Sequence, residues 1–305
     1  MHSSRYLLLT FLLVLTPSLT MARGQQAQNP SPMSDTTRPH PRLAESRPDG
    51  ERETLSLGEL FVPKAAVRRK RPTMPLLVHF HGASWLIEQH VAKAAPQAAL
   101  VTINLGAGSS RYAAPFADPA RFTTLLDEAA DAVGRLTGQR PTWSSVTLTS
   151  WSAGYGATRA VLANQDAAKR VNAVVLLDGL HASYVVTGDP AAPRGKDPAV
   201  NVSDLDAFTR LASAALSGHT RFWVTHSEVY PGTYASTSET ADALLASLRL
   251  ERRPVLKPGP IGMQQLSEAG RGGFQVLGFA GNSAPDHVDH LQALGEWLRR
   301  WKVIR

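Results

Sequence analysis

The sequence predicts an α/β protein in three layers, a mostly parallel central sheet with helices on both faces. Three observations point there. Short apolar or β-branched runs alternate with helix-compatible segments, the pattern that right-handed βαβ crossovers produce. Val171 to Leu177 (V-N-A-V-V-L-L) is an almost unbroken apolar run, as a strand covered on both faces must be. Val146 to Ala157 (V-T-L-T-S-W-S-A-G-Y-G-A) passes from a β-branched run through small residues into an Ala-rich segment, which reads as strand, tight turn and helix.

Taken in order, residues 1–22 carry Arg5, an apolar run from Tyr6 to Leu15, Pro17 and the small-residue sequence Thr20-Met21-Ala22. The run is too short to span a bilayer and has the layout of a cleaved secretory signal, so we expect a secreted or periplasmic protein with no stable membrane insertion after cleavage. Residues 23–53 are rich in Pro, Ser, Gln and Arg without apolar periodicity, and a disordered linker is expected. The folded domain is expected over 54–305, beginning with an early strand at Leu55 to Pro63. Arg68-Arg69-Lys70-Arg71 reads as a solvated turn. A strand from Pro75 to Phe80 leads into His81-Gly82. A helix at about Leu86 to Ala95, a strand at Ala99 to Leu105, a Gly/Ser loop at Gly106 to Ser110 and a helix at about Arg121 to Leu136 follow. Beyond the tight turn at Ser152 come strands ending at Leu177, Thr225 and Ala280.

Ser150-Trp151-Ser152-Ala153-Gly154 has the form small-x-Ser-x-Gly, in which small residues let the chain turn sharply enough to lift one hydroxyl above the sheet. With His81-Gly82 upstream and a histidine-bearing loop near the C-terminus, the chain resembles the α/β-hydrolase superfamily, specifically its serine esterases and lipases. Ser150 stands where that pattern usually has its first Gly. The resemblance implies Ser152 as nucleophile. It also implies an oxyanion hole from the Ala153 amide and amides of the loop after His81-Gly82, at Ala83 or Ser84.

A Ser-based acyl transfer needs an imidazole base and a carboxylate to hold it in the right tautomer. Two histidines compete on the C-terminal segment Asn282 to His290. His287 is preferred because it follows the turn residues Ala284-Pro285-Asp286, whereas His290 already belongs to a helical pattern. For the acid, Asp178 directly follows the apolar strand and precedes Gly179; Glu228, one strand later, is the alternative, with Asp286 and Asp289 as lesser candidates. A lid-like insertion is expected at about 181–202, too long and irregular for a simple connection. Trp85, Trp151, His181, Tyr184 and Tyr230 are then candidates to line the substrate pocket.

Composition narrows the classes further. Zero cysteines exclude disulfides, a catalytic thiol and thiolate metal sites. The net charge of +7 comes without zinc-finger spacing, an RRM-type aromatic motif or a long basic face, so no nucleic-acid partner is expected. The triad implies no cofactor, and His79 and His81 lie too far along the chain from the C-terminal histidines to give a contiguous metal signature, so none is assigned. The expected partner is a small-molecule ester or related acyl compound. An amide or peptide substrate would use the same parts, and a catalytically silent binding protein on the same scaffold is the alternative of another class.

Overall fold

A computed structural model describes residues 38–69, 72–185 and 199–302. The expected signal segment, the first half of the expected linker and the centre of the expected lid fall outside the described residues, as do Lys70 and Arg71. Ten strands form one sheet. They are β1 (Gly50–Thr54), β2 (Glu59–Pro63), β3 (Thr73–Phe80), β4 (Ala99–Ile103), β5 (Thr142–Trp151), β6 (Ala173–Leu177), β7 (Arg221–His226), β8 (Arg253–Pro258), β9 (Gln264–Arg271) and β10 (Phe274–Phe279). The helices are α1 (Lys64–Val67), α2 (Ser84–Ala94), α3 (Ser109–Ala113), α4 (Arg121–Thr137), α5 (Tyr155–Ala163), α6 (Gln165–Lys169), α7 (Asp206–Leu216), α8 (Thr237–Ser247), α9 (Ala284–Gln292) and α10 (Leu294–Arg300).

The strand order is β1-β2-β4-β3-β5-β6-β7-β10-β9-β8. Six neighbouring strands, β4 to β10 in that order, run parallel, and antiparallel strands extend the sheet at both edges. Side-chain alternation then divides the core in two. Leu76, Val78, Phe80, Val174, Leu176, Phe222 and Val224 join the cluster that includes residues of α4, α5, α7 and α8. Leu77, Val175, Leu177 and Trp223 face the other way, toward α2, α9 and α10. This is the three-layer arrangement expected from the alternation of strands and helices.

Three boundaries differ from the sequence reading. Ordered structure begins before Thr54: Gly50–Thr54 pairs antiparallel with β2, and residues 38–46 run along α9 and α2 through polar contacts. These polar residues are held by charge and main-chain bonds, which an apolar periodicity does not report. The hairpin β8–β9 was not anticipated, because β8 holds two prolines and is exposed along most of its length, as an edge strand can be. At the lid-like insertion the two described ends close on each other, with Val185 N donating to Ala199 O and Asn201 N to Ser183 O. Among the described residues no helix is long and apolar enough to cross a membrane.

Candidate active site

The carboxyl ends of the parallel strands supply the residues of one cavity of about 270 Å³, as ligand sites of open α/β sheets do. Its wall comprises His81, Ala107, Trp151, Ser152, Asp178, His181, Val229, Pro231, Tyr234, Thr237 and His287. Three of these, Ser152 (φ 46°), Asp178 (φ 44°) and His81 (φ 73°), have left-handed backbone despite carrying side chains. Arg249, Ile261 and Lys302 share this uncommon backbone away from the cavity, but three such residues meet on its wall.

At the elbow, β5 ends at Trp151 and a single 3₁₀ turn, Ser152–Gly154, passes directly into α5. The turn is possible only because its neighbours are small. A Cβ on Gly154 would stand 2.2 Å from Phe80 O, and one on Gly179 would stand 2.8 Å from both Ser152 N and Ser152 O. Ser150, in the position where the resemblance expects Gly, fits the sheet between Phe80 and Leu176, but its buried hydroxyl finds no partner among the described residues.

Asp178 caps β6 and is almost fully buried, yet all its lone-pair directions are served. His287 Nδ1 lies 2.7 Å from Oδ2, Ser227 Oγ donates to Oδ2 at 2.6 Å, and Ser227 N and Thr237 Oγ1 donate to Oδ1 at 2.9 and 2.6 Å. Burial alone would raise this carboxyl; the neighbouring imidazoles of His290 and His287 and the Ser227 hydroxyl outweigh it and hold the group well below the usual carboxylate range. An ionised carboxylate accepts but does not donate, so His287 Nδ1 carries the proton and Nε2 is left as the basic nitrogen. Ser227 is itself held from behind. Arg252 contacts His226 Nε2, and His226 Nδ1 donates to Ser227 O at 3.0 Å.

Trp151 orients the imidazole from a second side. Its ring centroid is 4.8 Å from that of His287, its Nε1 donates to His287 O at 3.0 Å, and His81 stacks on it at 4.9 Å. His79, two residues earlier on β3, is a core residue: Thr149 Oγ1 donates to its Nδ1 and its Nε2 donates to His81 O, both at 2.7 Å. That second bond fixes the carbonyl of the strained His81 turn. Burial keeps His79 neutral, with its pKa lowered to about 3, and His81 follows at about 4.

Of the residues singled out in the sequence, Ser152, Asp178, His287, Trp151 and His181 meet at this cavity, and Ala153 follows Ser152 in the elbow turn. The others are placed elsewhere. Glu228 is exposed and reaches toward Ser238 and His226, because the chain after β7 turns Ser227 rather than Glu228 toward Asp178. His290 is buried on α9, with Nδ1 2.7 Å from Thr225 Oγ1 and its ring against Phe279. Ala83 and Ser84 begin α2 off the cavity wall, and Ser84 Oγ accepts from Thr102 at 3.0 Å; the wall is made by His81 instead. Trp85 packs on the lower core cluster, Tyr184 donates to Glu239 at 3.1 Å, and Tyr230 is 55% exposed. Asp286 and Asp289 face Arg38, His40 and Arg42 of the N-terminal arm. Ligand atoms of His40, Asp286 and Asp289 gather within 4.8 Å, but the two arginines already match the two carboxylate charges there.

Residues that the sequence reading missed are Ala107, Val229, Pro231 and Tyr234, all on loops after strands, and Thr237, the first residue of α8, together with His81 as a wall residue and Ser227 behind Asp178. Only Ser227 and Thr237 left a signal, as small hydroxyl residues just after a strand and at the first position of a helix.

The strand order, the elbow after β5 and the loops gathered above the sheet define the α/β-hydrolase fold. No protein-family model matches the sequence, and no curated protein matches it. Solved structures do align with it. One described as an arylesterase is 15% identical, over 86% of this chain and 87% of that one, with a TM-score of 0.44. A Rhizomucor miehei esterase is 10% identical over 85% and 84%, with a TM-score of 0.46. An S-formylglutathione hydrolase from Agrobacterium tumefaciens is 12% identical over 80% and 87%, with a TM-score of 0.42. Superpositions this loose leave the chemistry to the cavity itself.

Proposed function

We propose that the chain is an exported serine hydrolase acting on small carboxylic esters through an acyl-enzyme. One observation carries the reading: Ser152, on a left-handed elbow, shares a cavity with His287, whose Nδ1 is paired to the buried carboxylate of Asp178. In the proposed mechanism His287 Nε2 takes the Ser152 hydroxyl proton as Oγ bonds to the ester carbon. The Ala153 amide, next to Ser152 in the elbow turn, stabilises the negative oxygen. His81 N does not contribute, since it donates to Ile103 O. His287 then returns the proton to the departing alcohol, and water, deprotonated by the same nitrogen, releases the acid and restores Ser152. Export rests on the signal-like layout of residues 1–22.

The test is labelling of the purified protein by a fluorophosphonate, with 4-nitrophenyl butanoate turnover measured in parallel. Ser152→Ala abolishes both on this reading. Labelling that survives Ser152→Ala overturns it, and a wild-type protein that neither labels nor turns over points instead to a binding protein on this scaffold. Comparing the nitrophenyl ester with the matching nitroanilide separates ester from amide preference. N-terminal sequencing of protein recovered from the medium or periplasm checks export.

A further inference from the structure

We propose that His181 is a specificity residue whose ring Nε2 accepts a hydrogen bond from the substrate, so that the enzyme favours esters carrying a hydroxyl or N–H donor near the scissile carbonyl. This rests on the hydrolase reading and adds the substrate class. His181 borders the cavity two residues beyond Gly179, which abuts the Ser152 backbone. Its Nδ1 lies 3.1 Å from Ala235 O. A carbonyl can only accept, so the Nδ1 side of the ring carries the proton and Nε2 keeps its lone pair. Tyr155 and Tyr234 pack edge-to-face on the ring at centroid distances of 5.5 and 4.9 Å, with interplanar angles of 63° and 86°. Nε2 has no partner among the described residues and is not sealed from the cavity. The mechanism does not use it.

Burial keeps this imidazole neutral, its pKa lowered to about 4, so it offers a lone pair rather than a positive charge across the ordinary pH range. An anionic substrate therefore gains nothing from it. The Tyr234 ring lies against it, and Ala107, Val229 and Pro231 give the same cavity apolar wall. A plain alkyl group placed there would strip water from Nε2 and return no donor, which a pocket built around a hydrogen bond penalises.

The experiment compares isosteric pairs. On the acyl side these are the 4-nitrophenyl esters of 3-hydroxybutanoate and 3-methylbutanoate; on the alcohol side, 2-hydroxyethyl and propyl butanoate. We expect kcat/KM to favour the hydroxylated member of one pair by about tenfold. His181→Phe should bring that ratio close to one, and His181→Gln, which still presents an acceptor, should restore part of it and show that the site remains folded. A ratio near one for both pairs in the wild type, or a preference unchanged in His181→Phe, overturns the proposal. A readout independent of turnover is the histidine ¹⁵N spectrum of the Ser152→Ala protein. 3-Hydroxybutyramide should shift His181 Nε2 and 3-methylbutyramide should not; equal responses overturn the assignment. If neither ester pair is hydrolysed the hydrolase reading fails, and the ¹⁵N response alone then decides whether His181 is the acceptor.

Discussion

The indole of Trp151 holds His287 at two points, by a ring contact at 4.8 Å and by a hydrogen bond from Nε1 to the His287 carbonyl at 3.0 Å. The residue that ends the elbow strand therefore also sets the start of α9. Trp151→Phe keeps an aromatic face but loses the donor, leaving a half-buried carbonyl with one partner fewer. We expect kcat to fall about tenfold with little change in KM, because misplacing a base costs rate rather than binding. Stability should fall by about 1 kcal/mol. Steady-state kinetics with thermal unfolding check both.

Asp178 and Glu228 give opposite expectations. Asp178→Asn retains the shape but presents an amide that cannot serve His287 and both Ser227 donors as the carboxylate does, so kcat should drop by about 10³- to 10⁴-fold. Glu228→Gln, at an exposed side chain pointing to Ser238, should stay within about twofold of wild type. Equal losses in the two variants would remove Asp178 from the proposed triad.

What the sequence could show follows from which forces leave a periodic trace. The second half of β5 and all of β6 are legible because they are buried on both faces, and the elbow because Gly154 and Gly179 answer to backbone approaches that exclude any Cβ. The sites at strand ends were readable for the same reason, since a strand end is where an apolar run stops. Residue type alone points to Trp85, Tyr184 and Tyr230, but it says nothing about distance, and each lies off the cavity. His81 reaches the wall only because its backbone turns left-handed, and no residue pattern announces a positive φ at a histidine. The N-terminal arm was illegible because its order depends on two buried carboxylates some 250 positions later in the chain.

The elbow glycines should be far less tolerant than glycines that only turn the chain. Gly154→Ala forces a methyl against Phe80 O, and we expect a loss of about 3 kcal/mol or more together with activity. Gly138→Ala, at a helix end with open space and φ of 78°, should cost about 1 kcal/mol and spare turnover. Ser150→Ala goes the other way: it removes a buried hydroxyl with no partner among the described residues and should be neutral or stabilising by about 1 kcal/mol. Urea midpoints compare the three directly.

Mild acid should weaken the fold well before the carboxylates titrate. Burial lowers His79 and His226 to about 3 and His81 and His181 to about 4, while the same residues in the unfolded chain take up protons near pH 6.5. Between pH 6.5 and about 4 the unfolded state binds more protons, so stability falls as pH falls, by up to about 1.4 kcal/mol per pH unit for each such histidine. Above pH 6.5 these groups contribute no slope. Asp178, held below the usual carboxylate range, keeps its contribution through this window and loses it only below its ordinary pKa. Urea midpoints at pH 7.5, 6.5, 5.5 and 4.5 should be level and then descend; a flat series down to 4.5 would mean that these imidazoles are not buried as described.

The arm ahead of β1 should be part of the folded domain rather than a tether. Asp286 and Asp289 flank His287 on α9 and are buried to 1% and 0% exposure, where an unpaired carboxylate is costly. Arg38 Nη2 reaches Asp286 at 2.7 Å and Asp289 at 2.5 Å, Arg42 reaches Asp289 at 2.5 Å, and His40 reaches it at 2.8 Å. Arg42 also donates to Pro285 O, and Gln89 of α2 donates to Ala44 O and Ser46 O. A signal cleaved near Ala22 would leave all of these contacts intact. Removing residues through Arg42 would strip the cations from two buried carboxylates at once, and we expect a loss of about 3 to 5 kcal/mol with activity falling as α9 loosens around His287. A chain beginning at residue 30 should match the longer protein in melting temperature and turnover. If the chain lacking residues through Arg42 melts and reacts like the longer one, the arm contributes nothing to the site, whereas Asp289→Asn in the full chain should recover part of the loss when combined with Arg42→Ala.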